Sequence, residues 1–134
     1  MDRNGNGKID DGSELFGSST IKTDGKRAIN GFDALFDLDG GPGRSDHQID
    51  ARDDAYSRVL LWLDRNHNAV SDQGELLTLQ QAGVRTIFTD YRDGPRVDKE
   101  GNKYRYVGDS LVVKNKQESD RTIFDVYLAT LARP

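Results

Sequence analysis

Three segments in the first 75 residues alternate carboxylates with side-chain amides, a pattern suited to wrapping a hard cation in oxygen. The first reads Asp2-x-Asn4-x-Asn6-Gly7, continues through Lys8, Ile9 and Asp10, and reaches an acid at Glu14. The third reads Asp64-x-Asn66-x-Asn68-Ala69, continues through Val70 and Asp72, and closes on Glu75. A twelve-residue calcium loop draws side-chain oxygens from positions 1, 3 and 5, a carbonyl from 7, often a water at 9, and a bidentate acid at 12. The third segment matches that spacing with Asp64, Asn66, Asn68, the Val70 carbonyl, Asp72 and Glu75. Its defect is Ala69 at position 6, where the turn favours Gly. If that residue keeps a positive φ, an L-residue there costs on the order of 1 kcal/mol and weakens binding roughly five- to tenfold. The first segment supplies Asp2, Asn4, Asn6, the Lys8 carbonyl and Asp10. Glu14 arrives one residue late, which makes a thirteen-residue loop.

The second segment is stretched. Asp39 is followed by an insertion containing Gly40-Gly41-Pro42-Gly43, then by Asp46-His47-Gln48-Ile49-Asp50 and Asp53. Its expected ligands are Asp39, Asp46, the Gln48 carbonyl, Asp50 and Asp53, with Asp37 as an alternative first ligand and His47 standing where Gly is preferred. The competing description is an Asp-rich connector between two helices. The two histidines, His47 and His67, fall at non-ligand places in these loops and are expected to face solvent. With no Cys, thiolate zinc sites, iron–sulfur clusters, disulfides and a cysteine nucleophile are excluded. No phosphate-binding glycine loop, Ser-His-Asp order or metalloprotease helix signature is present, so no enzyme activity is expected.

The balance of residues agrees with metal loops. Of 23 acidic residues 19 are Asp and 4 are Glu, and there are 14 Gly. Asp is a poor helix and strand former but a good loop residue and hard-cation ligand. Net charge is −4; residues 1–83 carry −6 and residues 84–134 carry +2, too little basic charge for nucleic acid. Leu, Ile, Val and Phe are 31 of 134 residues, so the core is thin. No apolar run is long enough to span a membrane, and a monomer is expected.

Around the loops, Asn30 can cap a helix carrying Phe32, Leu35 and Phe36, ending at 37–39. Tyr56, Val59, Leu60 and Leu63, widened by Ala55 and Trp62, have helical spacing and predict a second helix running straight into the third loop. Thr78 can cap a short helical turn that stops at Gly83. From Val84 the chain reads as strands over 84–91, 103–107, 111–114 and 122–128, with turns at Asp93-Gly94, Gly101-Asn102 and Gly108-Asp109. Phe124, Tyr127, Leu128 and Leu131 also fit a helical period. The expected fold is α+β: one domain, with a calcium-binding region over 1–83 whose loops and short helices pack on a small antiparallel sheet from 84–134.

The strings over 2–17, Asn30-Gly-Phe-Asp-Ala-Leu, Ile49-Asp-Ala-Arg-Asp, Trp62-Leu-Asp-Arg-Asn-His-Asn and Gly74-Glu-Leu resemble the EF-hand-type calcium-binding regions of large secreted bacterial proteins. Among these the chain is similar to the calcium-dependent self-processing module of RTX-type proteins, which cuts an Asp-Pro bond. The resemblance implies calcium held by Asp2, Asn4, Asn6, Asp64, Asn66, Asn68 and Glu75, in an exported protein. It does not carry over the cleavage, because the prolines follow Gly41, Gly94 and Arg133. The first loop starts without an entering helix, as in a part of a longer protein. The sequence therefore predicts a structural calcium-binding module. The alternatives are a self-processing module lacking its cleavage segment, and a calcium-gated adhesion module using Tyr91, Tyr104, Tyr106 and Tyr127 with Arg92, Lys103 and Arg105.

Overall fold

A computed structural model describes residues 1–40 and 45–130. The insertion of the second loop at 41–44 and the position of Leu131 lie outside the described residues. Among the described residues the elements are one α-helix, α1 (Gly31–Phe36), and seven strands: β1 (Gln48–Ile49), β2 (Leu60–Trp62), β3 (Leu76–Thr78), β4 (Val84–Phe88), β5 (Arg92–Val97), β6 (Lys103–Lys114) and β7 (Gln117–Tyr127). Two single-turn 3-10 helices, Gly12–Glu14 and Asp54–Ser57, complete the set. The α+β arrangement with helices flanking each loop is therefore corrected: the fold is mainly antiparallel β-sheet.

Strand β6 organises the sheet. Strand β7 pairs along its whole length on one side, while β5 and β4 share the other, and β1 extends the sheet beyond β4. Two turns expected in this region are strand interior. Gly108 lies within β6 because a Cβ there would run into the Phe32 ring, and Gly94 lies within β5 because a Cβ would meet the Tyr104 carbonyl and Val107. Glycine here marks close packing and not chain reversal. The reversal between β6 and β7 falls at Asn115-Lys116, both with positive φ (52° and 61°), as a two-residue hairpin turn requires. The Gly101 turn holds, with Gly101 at φ 87°.

Helix α1 forms as its sequence predicts, with the Asn30 side chain accepting the Asp33 N–H and the chain leaving the helix at Asp37. The second helix does not form. Residues 54–57 make one 3-10 turn, and Leu60–Trp62 pairs antiparallel with Leu76–Thr78 as an isolated two-stranded ladder. A short apolar run fits either period, and its partner 16 residues later decides in favour of strand. After β3, Thr78 Oγ1 accepts the Gln81 N–H at 3.1 Å while Gln81 Oε1 accepts the Thr78 N–H at 2.9 Å, a reciprocal cap on a turn that ends at Gly83.

Leu35, Ile49, Val59, Leu79, Val84 and Ile87 form the core, with Phe16, Tyr56 and Ile123 packed against it. The second and third loop segments contribute to it or abut it. Ile49 comes from the second loop itself, and Leu79 follows the strand that leaves the third. Among the described residues no helix is long and apolar enough to cross a membrane.

Candidate functional site

The third loop is closed by the β2–β3 ladder and not by helices. Trp62 pairs with Leu76, and Leu63 N–H donates to the Glu75 carbonyl at 2.9 Å, so the residues flanking Asp64 and Glu75 are brought together. The first loop closes with the same bond, the Met1 amine donating to the Glu14 carbonyl at 2.8 Å.

Inside the two loops the hydrogen bonds repeat position by position. Asp2 accepts from Asn6 and Gly7 N–H at 3.3 and 2.7 Å; Asp64 accepts from Asn68 and Ala69 N–H at 3.1 and 2.9 Å. Asn6 Oδ1 accepts the Lys8 N–H and Asn68 Oδ1 the Val70 N–H, at 3.0 and 2.9 Å. The amides of Asn4 and Asn6 donate to Asp10 Oδ2 at 3.0 and 2.7 Å, and those of Asn66 and Asn68 to Asp72 Oδ2 at 2.9 and 2.8 Å. These amides hold the Asp10 and Asp72 carboxyls below the usual carboxylate range, and Lys8 adds to the effect at Asp72.

The late acid of the first loop reaches the same place as its counterpart. Glu14 accepts from Arg3 and Asp10 N–H at 2.9 and 2.8 Å. Glu75 accepts from Arg65 and Asp72 N–H, both at 3.1 Å. The extra residue is absorbed by the 3-10 turn Gly12–Glu14, capped by Asp11, whose side chain accepts the Ser13 N–H. Both glutamates are buried, 3% and 5% exposed, and Trp62 Nε1 donates to Glu75 at 3.3 Å.

The backbone repeats as well. Gly7 and Ala69 have φ of 81° and 58°, and two residues earlier Gly5 and His67 have 74° and 57°. Position 6 therefore does require the left-handed region, and so does position 4, which the motif alone did not reveal.

The second loop follows the pattern with one substitution of chemistry. Asp39, 2% exposed, accepts from His47 N–H and Ser45 Oγ, each at 2.7 Å. Asp46 accepts from Gln48 N–H at 3.1 Å and Asp53 from Asp50 N–H at 2.9 Å. His47 takes the left-handed φ of 64° in the place of Gly7 and Ala69. Where the other loops aim amides at the position-9 acid, here Arg52 bonds both Asp46 and Asp50 at 2.6 and 2.7 Å. Its hydrogen bonds lower the Asp50 pKa, and Asp50 in turn raises that of the guanidinium. Asp37 is engaged elsewhere, accepting from Thr23 N–H and Oγ1. His47 faces outward as expected and contacts Asp90 through Nδ1 at 2.8 Å.

Among the described residues no three acidic or histidine side chains gather as a metal cluster. The oxygens instead come from mixed sets: two acids, two amides, a carbonyl and a buried glutamate in the first and third loops. Such a set, all oxygen with no sulfur or imidazole, fits calcium. Two residues escaped the motif: Arg52, and Ser71, whose Oγ accepts the Ile9 N–H at 2.8 Å and so joins the third loop to the first. The signal for Ser71 was present, since it stands in the register where the other loops carry Ile9 and Ile49.

The fold and these loops define a β-rich module carrying three variants of one Asp/Asn loop. Residues 1–129 match the SPM domain, and the chain belongs to that family. It is similar to the iron-regulated protein FrpA of Neisseria meningitidis serogroup C, 40% identical over 92 residues, or 69% of this chain. The match spans 8% of that relative's length, so this is a module of a kind found within a much larger bacterial protein.

Proposed function

We propose that the chain is a calcium-binding module that stabilises part of a large exported bacterial protein, and that it binds and does not catalyse. The observation carrying this proposal is the repetition of one hydrogen-bond pattern in the first and third loops, down to the partners of Glu14 and Glu75. An ordinary Asp-rich turn needs no buried glutamate held by two backbone N–H groups at fixed loop positions. In the first loop Asp2, Asn4, Asn6, the Lys8 carbonyl and Glu14 hold the ion, with Asp10 at the water-mediated place. In the third, Asp64, Asn66, Asn68, the Val70 carbonyl and Glu75 do so, with Asp72 in that role. Asp39, Asp46, the Gln48 carbonyl, Asp50 and Asp53 form a weaker middle site, because Arg52 competes for Asp46 and Asp50.

Extracellular modules of this kind bind calcium at about 10⁻⁴ to 10⁻³ M, which suits a segment that tightens after export. The test is isothermal calorimetry of chelator-stripped protein with calcium, following Trp62 fluorescence in parallel because its indole touches Glu75. Two or three sites with a fluorescence change are expected. No heat and no emission change at millimolar calcium would reduce the loops to turns.

A further inference from the structure

Where the end of α1 meets the exit of β4, a hollow of about 210 Å³ is lined by Asp33, Phe36, His47, Thr89, Asp90 and Tyr91. Two aromatic walls stand in solvent at its rim, Phe36 at 39% exposed and Tyr91 at 43%. Both are set from behind: Tyr91 stacks on the buried Phe32 with ring centroids 5.6 Å apart, and Phe36 leans on the His47 imidazole at 5.1 Å. The Thr89 N–H donates to the His47 carbonyl at 3.0 Å, which ties the wall from the middle loop to the wall from the sheet. The polar groups differ in what they have left to offer. Asp33 is already matched by Lys22 at 3.2 Å and by the Ile29 N–H. Asp90 is exposed and engages His47 Nδ1 through one oxygen only, at 2.8 Å. Thr89 is 3% exposed, and its Oγ1 has no hydrogen-bond partner among the described residues. Buried hydroxyls are almost always bonded, so an unpaired one on a residue lining a hollow marks a place for a polar group from outside the chain.

We propose that this hollow binds the primary ammonium group of a small organic amine. Charge selects the class of ligand: the lining carries two carboxylates and, among the described residues, no Lys or Arg. The ring faces of Phe36 and Tyr91 present negative π-density and attract cations further. An inorganic cation is poorly matched, because no three acidic or histidine side chains gather among the described residues and the walls are largely carbon, which suits an alkyl stem. A neutral sugar gains nothing from the Asp90 charge. Between ammonium groups, the unpaired Thr89 Oγ1 and the Asp90 carboxylate favour a primary one, whose N–H groups donate to both; a quaternary ammonium has no donor to give them. None of the proposed calcium ligands lines the hollow, so the site stands whether or not the loops bind calcium.

The experiment titrates the ¹⁵N-labelled full chain, in millimolar calcium, with n-butylammonium chloride and reads the amides of His47, Thr89 and Asp90. Tetramethylammonium chloride, sodium chloride and glucose serve as comparison probes. Butylammonium is expected to shift these amides along a saturating curve and to bind at least about fivefold more tightly than tetramethylammonium, with no saturating shift from sodium chloride or glucose. Tyr91→Leu removes a ring wall and should weaken both ammonium ions by about fivefold or more. Thr89→Val removes the hydroxyl and should abolish the preference for butylammonium while leaving tetramethylammonium binding in place, a result that misfolding does not produce. Circular dichroism checks that both variants fold. No saturating shift with butylammonium, or an equal response to glucose or sodium chloride, would overturn the site. An unchanged preference in Thr89→Val would overturn its assignment to primary amines.

Discussion

Ala69 holds a φ of 58° in a loop whose first-loop counterpart is Gly7. An L-residue in the left-handed region costs about 1 kcal/mol, so Ala69→Gly should tighten calcium binding to the third loop about fivefold, read by calorimetry; a change under about twofold would show the strain to be unimportant. Arg52 gives the opposite case, a cation of the chain itself bridging Asp46 and Asp50. Arg52→Gln removes that competitor, and in a calcium titration followed through ¹⁵N-labelled amides His47 should then report tighter binding in the middle loop, with the Gly7 curve unmoved. Acid should act on all three loops. The folded-state pKa values of Asp10, Asp50 and Asp72 are lowered by their hydrogen bonds, so their contribution is complete above the ordinary carboxylate value of about 3.9 and lost as pH falls through the depressed values. A chelated sample should therefore melt at steadily lower temperature below about pH 4, and a flat profile there would contradict the lowering. At this scale the sequence was informative wherever spacing dictated the chemistry. It placed the acids, the amides and the Ala69 strain. Ser71 and Arg52 stayed hidden because their roles depend on partners brought close only by folding: Ile9 sits 62 residues from Ser71 in the chain.

Among the elements, the β2–β3 ladder does what entering and leaving helices do in a helix–loop–helix site: it fixes both ends of the third loop. The run from Tyr56 to Leu63 satisfied a helical period, and nothing local in it names Leu76–Thr78 as a partner. Helix α1 was legible because its signals are local: the Asn30 cap and the stripe of Phe32 and Leu35. Gly94 and Gly108 were misread as turns for the same reason as the lost helix, since the groups that exclude a side chain there come from distant segments. The true turn at Asn115-Lys116 lacks glycine altogether. Lys116→Gly should relieve its positive φ, raising Tm by about 3–5 °C by calorimetric scanning, for a gain of about 1 kcal/mol. A lower Tm would show that the lysine side chain contributes more than its backbone costs.

The molecule as a whole has a core of a few aliphatic side chains and three loops holding 11 of its 23 acidic residues. The skew of 19 Asp against 4 Glu anticipated that division. Leu79, fully buried, follows β3 and sits in the core beside Ile49 of the second loop. Leu79→Ala should therefore cost about 2–5 kcal/mol by denaturant unfolding in calcium, and a loss under about 1 kcal/mol would show that the loops carry the fold without it. With so small a core, ions bound as proposed would be a large share of stability: each ion at about 100 times its Kd adds roughly 2.7 kcal/mol, against about 5–15 for a typical domain. The most direct test is thermal unfolding followed by circular dichroism, in excess chelator and again in millimolar calcium. A calcium-stabilised module should melt at least ~10 °C higher in calcium than in chelator. The same sharp transition at the same temperature in both solutions would contradict calcium as the ligand of these loops.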